Sequence, residues 1–298
     1  MRVLTNPGSN LSDDLALKLD VDLTPQKIVV DGISHDTRNA LDLSQVDRWV
    51  RSAGQHPFVR GTSESEFADH FARLARKDAE ILAVMTSRQI IGSHDAAVAA
   101  AAAMKSSPDP ALKAAKVEIV DTMVTDVGAG MVTLAAVQAR NAGLSLADTA
   151  KFCRAFAQGG RSIISVAVLE NLIKGGRASF LQGWVANFLN VRPLLSFDGG
   201  KPASVGRVSA KADPADVLPG WLSERFDKGT AAWVGIAHGD VEDKATQTLA
   251  RLKERFSVEF AMVRPLSPSI YLHAGRGAVA VFLYPLDKLS HRPDPPNV

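Results

Sequence analysis

A histidine and an arginine, each next to glycines, are the side chains of this sequence best suited to bind a carboxylate. His273 opens the sequence His-Ala-Gly-Arg-Gly between two apolar runs, where an imidazole could donate a hydrogen bond to an anion. Gly275 would let a ligand or another segment of the chain approach the backbone closely. Arg177 follows two glycines, and its guanidinium could donate two parallel hydrogen bonds to a carboxylate. The alternatives are a structural histidine and an arginine that caps a helix or extends to solvent.

A second group of residues suited to an anion lies at positions 86–93. Thr86-Ser87 follows an apolar run at 80–85, which predicts a strand, and open parallel sheets bind ligands at the carboxyl ends of their strands. Gly92-Ser93 then opens an alanine-rich helix predicted through residue 104. The start of that helix would offer free backbone N–H groups and the positive end of its dipole.

The elements around Arg177 can be predicted from glycines and apolar spacing. A helical run through Leu169 and Leu172 should end at Gly175-Gly176, because glycine tolerates the positive φ of a helix end. Beyond it the pattern predicts an apolar helix at 180–189, a buried strand at 191–197 and a hairpin turn at 198–200.

In the rest of the chain, segments with the apolar spacing of helices alternate with segments that have the apolar pattern of strands. This alternation predicts an α/β fold. Further strands are predicted at 2–5, 24–32, 117–120, 201–207, 231–238 and 258–263, and residues 56–63 are interpreted as a loop. Helices are predicted at 12–19, 44–50, 66–77, 127–141, 146–157, 214–226 and 243–256. Gly159-Gly160 is the candidate boundary between an N-terminal domain, 1–160, and a C-terminal domain, 161–298.

Composition excludes several classes of protein. A net charge of +2 from 34 basic and 32 acidic residues in mixed order argues against nucleic acid as the main partner. The single cysteine, Cys153, lies in a helical pattern and indicates a packed thiol in a reducing compartment. No apolar run reaches the length of a membrane span and no signal peptide is apparent. The sequence therefore predicts a soluble cytoplasmic protein without stable membrane insertion.

The usual motifs for metal or nucleotide chemistry do not occur. The seven histidines show no HxxxH spacing and no CxxC is present, so no metal site is expected. Gly199-Gly200-Lys201 lacks the spacing of a phosphate-binding loop, and Gly128 and Gly130 give only a weak dinucleotide signal. His238 is interpreted as a loop histidine. A small-molecule enzyme is disfavoured because no matched acid and base can be identified.

Several of these segments together resemble the DegV family. They are Lys-Gly-Gly-Arg at 174–177, Leu-Asn-Val-Arg-Pro-Leu-Leu at 189–195, Asp-Gly-Gly at 198–200 and the His-x-Gly-x-Gly of 273–277. The resemblance extends over nearly the whole chain. It implies an N-terminal three-layer α/β/α domain with a mainly parallel sheet and a C-terminal α/β domain with a mixed sheet. It also implies a long-chain fatty acid bound in a cleft between the domains.

The family's ligand contacts carry over to this chain only in part. The resemblance implies that His273 contacts the fatty-acid carboxylate and that Ser93 supplies a hydroxyl. Ile91 replaces the serine before the glycine of that turn, Val59 stands at one of the family's hydroxyl positions, and Pro7 occupies part of its Asp-Ser pair. Thr62 and Ser63 could compensate, although capping of the next helix is an equal alternative for them.

The hypothesis is a non-enzymatic fatty-acid-binding protein that presents the carboxylate to a separate fatty acid kinase, with no cofactor besides the bound lipid. The alternative is a divergent member that has lost the head-group site and binds another ligand or acts as a regulatory module. The predicted ligand-binding residues are His273, Arg177, Ser93, Gly92, Thr86, Ser87, Ser63, Thr62, Gly275 and Gly128.

Overall fold

The structure is a computed structural model that describes residues 1–38, 41–177, 190–287 and 289–297. In chain order the strands of this part are β1 (Arg2–Thr5), β2 (Val21–Leu23), β3 (Lys27–Val30), β4 (Ile33–Asp36), β5 (Phe58–Arg60), β6 (Glu80–Met85), β7 (Lys116–Asp121), β8 (Arg161–Ser165), β9 (Val191–Asp198), β10 (Lys201–Ser209), β11 (Ala231–His238), β12 (Ser257–Pro265) and β13 (Val279–Pro285).

Helices alternate with these strands, and a 3-10 turn, Pro7–Ser9, follows the first strand. The α-helices are α1 (Asp13–Lys18), α2 (Leu43–Ser52), α3 (Glu64–Ala75), α4 (Ser93–Met104), α5 (Pro110–Ala114), α6 (Val127–Asn141), α7 (Leu146–Gly159), α8 (Leu169–Lys174), α9 (Pro214–Ser223), α10 (Glu242–Lys253) and α11 (Pro268–Ala274). The apolar helix predicted at 180–189 lies outside the described residues.

The first sheet has four parallel strands in the order β2-β1-β6-β7. Its side chains alternate between two helical layers, as the period of two in a strand requires. Ile81, Ala83 and Met85 of β6 join the core of α3 and α4. Leu82 and Val84 face the core formed with α6 and α7. The predicted three-layer arrangement of the N-terminal half is confirmed.

A second, antiparallel sheet has the strand order β4-β3-β5. The prediction of a loop over 56–63 is wrong at Phe58–Arg60, which pairs with β3 so that Val59 lies opposite Ile28. A strand of three residues carries too few alternations for its pattern to be recognised in the sequence.

The third sheet is mixed, with the order β10-β9-β8-β13-β11-β12 and a single parallel pair, β11 with β12. The hairpin predicted at Asp198–Gly200 joins β9 to β10, and the ladder is irregular between Ser204 and Gly206, as expected from the glycine. The predicted α/β class, with one mainly parallel and one mixed sheet, is therefore confirmed.

Two predicted helix starts need correction. Asp42 and not Ser44 caps α2, because the Asp42 carboxylate accepts a hydrogen bond from the Ser44 backbone N–H. Helix α3 begins two residues before position 66, and Ser63 caps it in a reciprocal capping box with Glu66. Asp and Ser are both favoured at the N-cap, because either side-chain oxygen can accept a hydrogen bond from the first turn. The sequence alone therefore does not decide which of two neighbouring residues caps the helix.

The core is continuous between the parallel and the mixed sheet. Twelve residues of α6 are buried, and its Val127 and Met131 contact Gly235 of β11. The division at residue 160 stays a prediction.

Cys153 is fully buried, and burial raises the pKa of its thiol to about 12, so it is an inert packed side chain. Over the described ranges, no helix combines the length and apolarity needed to cross a membrane.

Candidate ligand-binding site

His273 lies in the last turn of α11, which begins at Pro268. Proline suits the first turn of a helix, because its missing N–H would have no partner there. The helix ends at Gly275, whose φ is +70°. A Cβ at Gly275 would lie 2.9 Å from Asn171 Nδ2 and 3.1 Å from Val168 Cβ. The glycine predicted to allow close approach is therefore needed for the contact between α11 and α8.

Both ring nitrogens of His273 are buried, and neither has a hydrogen-bond partner among the described residues. Burial lowers the pKa of the imidazole to about 3, and the charge of Arg177 acts in the same direction. The ring is therefore neutral at neutral pH, with one N–H donor and one acceptor nitrogen. A buried polar group without a partner is costly, so these two nitrogens are candidates for a ligand contact.

Arg177 lies beside His273 at the end of α8. Its Nη1 donates to the Gly175 carbonyl at 2.7 Å, and its backbone N–H donates to the Leu172 carbonyl at 2.8 Å. A Cβ at Gly175 would lie 2.4 Å from His273 Nδ1, so the two helix ends are in direct contact. Burial lowers the pKa of the guanidinium, which nevertheless stays charged at neutral pH.

His56 is a third member of this cluster, and the sequence analysis missed it. Its ring centre lies 6.3 Å from that of His273, and both its ring nitrogens are buried without a partner in the described part of the chain. Burial lowers its pKa, with further contributions from Lys174 and Arg177. The only sequence signal is its place before Pro57, at the start of the segment that leads to Thr62.

Ser93 and Thr62 form a separate pair. The backbone N–H of Thr62 donates to Ser93 Oγ at 3.1 Å, and Ser93 is buried at the start of α4, after Gly92. The Thr62 hydroxyl donates to the Pro25 carbonyl at 2.6 Å and lies 2.7 Å from Thr24 Oγ1. The Ser93 hydroxyl donates no hydrogen bond among the described residues, so its proton is available to a ligand.

The remaining hydroxyl residues of the predicted site make contacts within the protein. Ser63 caps α3. Thr86 accepts a hydrogen bond from the Asn6 side-chain amide at 3.0 Å. Ser87 donates to the Gly200 carbonyl at 2.6 Å and so links the parallel sheet to the hairpin of the mixed sheet. A ligand role for these three residues stays a prediction.

Gly128 is explained by packing. A Cβ there would lie 2.3 Å from the Phe282 ring, and its carbonyl accepts a hydrogen bond from the Tyr284 hydroxyl at 2.9 Å. Glycine is required because α6 approaches β13 this closely. A ligand contact for Gly128 stays a prediction.

Asp126 is a buried carboxylate that the sequence analysis did not single out. It caps α6 at a φ of +56° and accepts four hydrogen bonds, from Asn10 Nδ2, Val127 N, Ser267 N and Ser267 Oγ. Burial raises the pKa of this carboxyl, against the effect of its donors. The network joins the loop after β1 to the loop before α11.

Two cavities between described residues lie away from the predicted ligand-binding residues. One of about 940 Å³ lies between the loop after β1 and the ends of β11 and β12, with Arg264, His238 and several carboxylates in its wall. The other, of about 270 Å³, adjoins Gly160 and the hairpin turn at Gly199. None of the predicted ligand-binding residues is among those that line either cavity.

The described residues also contain no group of three or more His, Cys, Asp or Glu side chains placed to hold a metal ion.

Comparison with known proteins identifies the family. A family model described as "Uncharacterised protein, DegV family" matches residues 1–286. A DegV domain-containing protein of Mycobacterium tuberculosis is 30% identical over 282 residues, covering 94% of this chain and 95% of that protein. A fatty acid-binding protein of Thermotoga maritima is 25% identical, with coverages of 97% and 99%. The structure of a fatty-acid-binding DegV family protein from Thermus thermophilus matches with a TM-score of 0.85 at 23% identity, covering 96% of this chain and 99% of that one. The chain therefore belongs to the DegV family.

Proposed function

We propose that this protein binds a long-chain fatty acid and holds its carboxylate at His273 and Arg177. The observation that carries the proposal is the pair of buried, unpartnered ring nitrogens of His273 beside a guanidinium. The names of two relatives support it, since the Thermotoga protein is called a fatty acid-binding protein and the Thermus protein is described by its fatty-acid binding.

Arg177 and His273 would make different contacts with the carboxylate. Arg177 supplies the positive charge and keeps N–H donors free besides the one that it directs at Gly175. His273 is neutral and supplies one N–H donor. Ser93, with its free hydroxyl proton, is the next candidate for the head group.

The acyl chain would extend from this head-group site into an apolar cleft between the proposed domains, 1–160 and 161–298. A small apolar cluster of Val166, Leu172 and Leu195 lies next to Arg177, whose backbone N–H bonds to Leu172. Each buried methylene would contribute about 0.8 kcal/mol to binding. This term would supply most of the affinity, and the head-group contacts would fix the orientation.

In this proposal the chain carries out no catalytic step and works in the cytoplasm. A separate fatty acid kinase would transfer the γ-phosphoryl group of ATP to the bound carboxylate, which yields an acyl phosphate and ADP. The role of this chain would be to hold the acyl group and present its carboxylate. Mixing the oleate-loaded protein with such a kinase and ATP should then yield oleoyl phosphate.

Native mass spectrometry of delipidated protein incubated with oleic acid tests the binding function. We expect a mass increase of one oleic acid per chain, which His273→Ala should lose at the same concentration. A wild-type protein that stays empty at saturating oleic acid would overturn the proposal.

A second candidate is a member of the family that binds another ligand. The observation in its favour is that the hydroxyls of Thr62 and Ser87 are used within the protein and that the Ile91 side chain lies against Gly61, 2.9 Å from where a Cβ would be. These contacts leave few polar groups for a head group besides the histidine cluster. An empty protein in the oleic acid experiment would favour this candidate.

A further inference from the structure

We propose that His56 is a second imidazole of the head-group site and donates a hydrogen bond to the same carboxylate as His273 and Arg177. This inference rests on the proposed fatty-acid binding and adds a residue to that site. It concerns a position outside the segments that carry the resemblance to the family.

Nothing in the described part of the structure compensates for the burial of the two His56 ring nitrogens. Both of its nitrogens are buried and unpartnered among the described residues, and the same is true of both nitrogens of His273. Four such nitrogens in neighbouring rings are unusual, because the large majority of buried side-chain polar atoms in folded proteins have a partner. A shared ligand would account for both rings at once.

The two imidazole rings are close enough to contact one carboxylate. Their centres lie 6.3 Å apart and their planes are tilted by 36°. A single oxygen at about 2.8 Å from one nitrogen of each ring is compatible with this separation. A carboxylate has two such oxygens and can accept several hydrogen bonds, so it can serve both imidazoles and the guanidinium.

The charged side chains that act on the two rings are positive. The charged groups that act on His56 are Lys174 and Arg177, and Arg177 also acts on His273. Lys174 is paired with Glu170 at 2.6 Å, whereas the only hydrogen bond of the Arg177 side chain among the described residues goes to a carbonyl. The cluster thus has an unbalanced positive charge, which selects an anion over a neutral or cationic ligand.

The test compares two probes that differ only in the carboxylate, oleic acid and methyl oleate, by isothermal titration of the delipidated full-length protein. We expect His56→Ala to weaken oleic acid binding at least fivefold and to change methyl oleate binding less than twofold. His56→Gln, which keeps an N–H donor, should recover part of the loss. His70→Ala is the matched control, since His70 is also partly buried and has its own partner, Arg73.

A readout without any substitution is the ¹⁵N spectrum of the His56 ring in the wild-type protein. We expect the ring nitrogens to shift when oleic acid is added and to stay in place with methyl oleate. If His56→Ala weakens both probes equally, or neither, while the wild type binds oleic acid, the inference is wrong and the proposed function stands. A wild type that binds neither probe overturns both.

Discussion

The carboxylate of Asp126 accepts two hydrogen bonds from Ser267, one from its backbone N–H at 2.9 Å and one from its hydroxyl at 2.6 Å. Asp126 begins the central helix α6, and Ser267 immediately precedes α11, the helix that carries His273. The buried carboxylate therefore fixes the start of the helix whose last turn carries His273.

Replacement of Asp126 by alanine should destabilise the protein by about 3 kcal/mol, because several buried donors would lose their acceptor. Urea denaturation followed by circular dichroism measures this change. Asp42→Ala is the control, since Asp42 caps α2 at the surface and its loss should destabilise the protein less. A loss for Asp126→Ala no larger than that of the control would contradict this assignment.

Replacement of Gly175 by alanine should weaken oleic acid binding about tenfold or more, and it should also lower the free energy of unfolding, because the new Cβ would lie 2.9 Å from the Asn171 backbone oxygen. Gly175 has a negative φ, so alanine suits its backbone, but the new Cβ would lie 2.4 Å from His273 Nδ1. The imidazole would have to move from its place beside Arg177. Gly54→Ala is the matched control, because its Cβ would make only an ordinary contact at 3.6 Å. Equal affinities of the two variants would show that the His273 position is unimportant for binding.

Replacement of Gly128 by alanine should lower the free energy of unfolding by roughly 2 kcal/mol, as expected for overpacking against the Phe282 ring. Gly220→Ala should act in the opposite direction. Gly220 lies within α9 and no atom is within 4 Å of its Cβ position, so the better helix propensity of alanine should add up to about 1 kcal/mol. Thermal unfolding of both variants shows whether each substitution lowers or raises the stability as predicted. A stabilising Gly128→Ala would refute the packing explanation.

The delipidated protein should be less stable at pH 5 than at pH 7. Burial lowers the pKa of His273 from 6.5 to about 3, so the unfolded chain binds more protons between these values and acid favours unfolding. The stability is present above the unfolded pKa and is lost as the pH falls, by about 1 to 2 kcal/mol at pH 5. His273→Gln should reduce this dependence in urea denaturation at both pH values. An unchanged dependence in the variant would show that His273 titrates normally.

Local sequence signals predicted much of the fold. The α8 helix ends at Gly175 and the β9–β10 hairpin turns at Asp198–Gly200, because glycine determines both features within a few residues. The apolar side chains of β6 point alternately to the two faces of the sheet, so a helical layer is expected on each face. The strand Phe58–Arg60 could not be predicted, since it forms only through pairing with β3.

The candidate site was predictable in part for the same reason. His273 and Arg177 are marked by adjacent glycines, whereas His56 reaches them only through the tertiary fold. The partner of Asp126 is 141 residues away along the chain, and no local pattern indicates it. Thr62 and Ser87 show the reverse case, because their hydroxyls suit a ligand but have partners within the protein.

The most direct test of the central claim is denaturing extraction and mass spectrometry of the lipid that copurifies with the protein, compared between the wild type and His273→Ala. We predict a fatty acid in near-stoichiometric amount in the wild type and its loss from the variant. A wild-type protein that carries no acyl species, and takes up none when incubated with fatty acids, would contradict it.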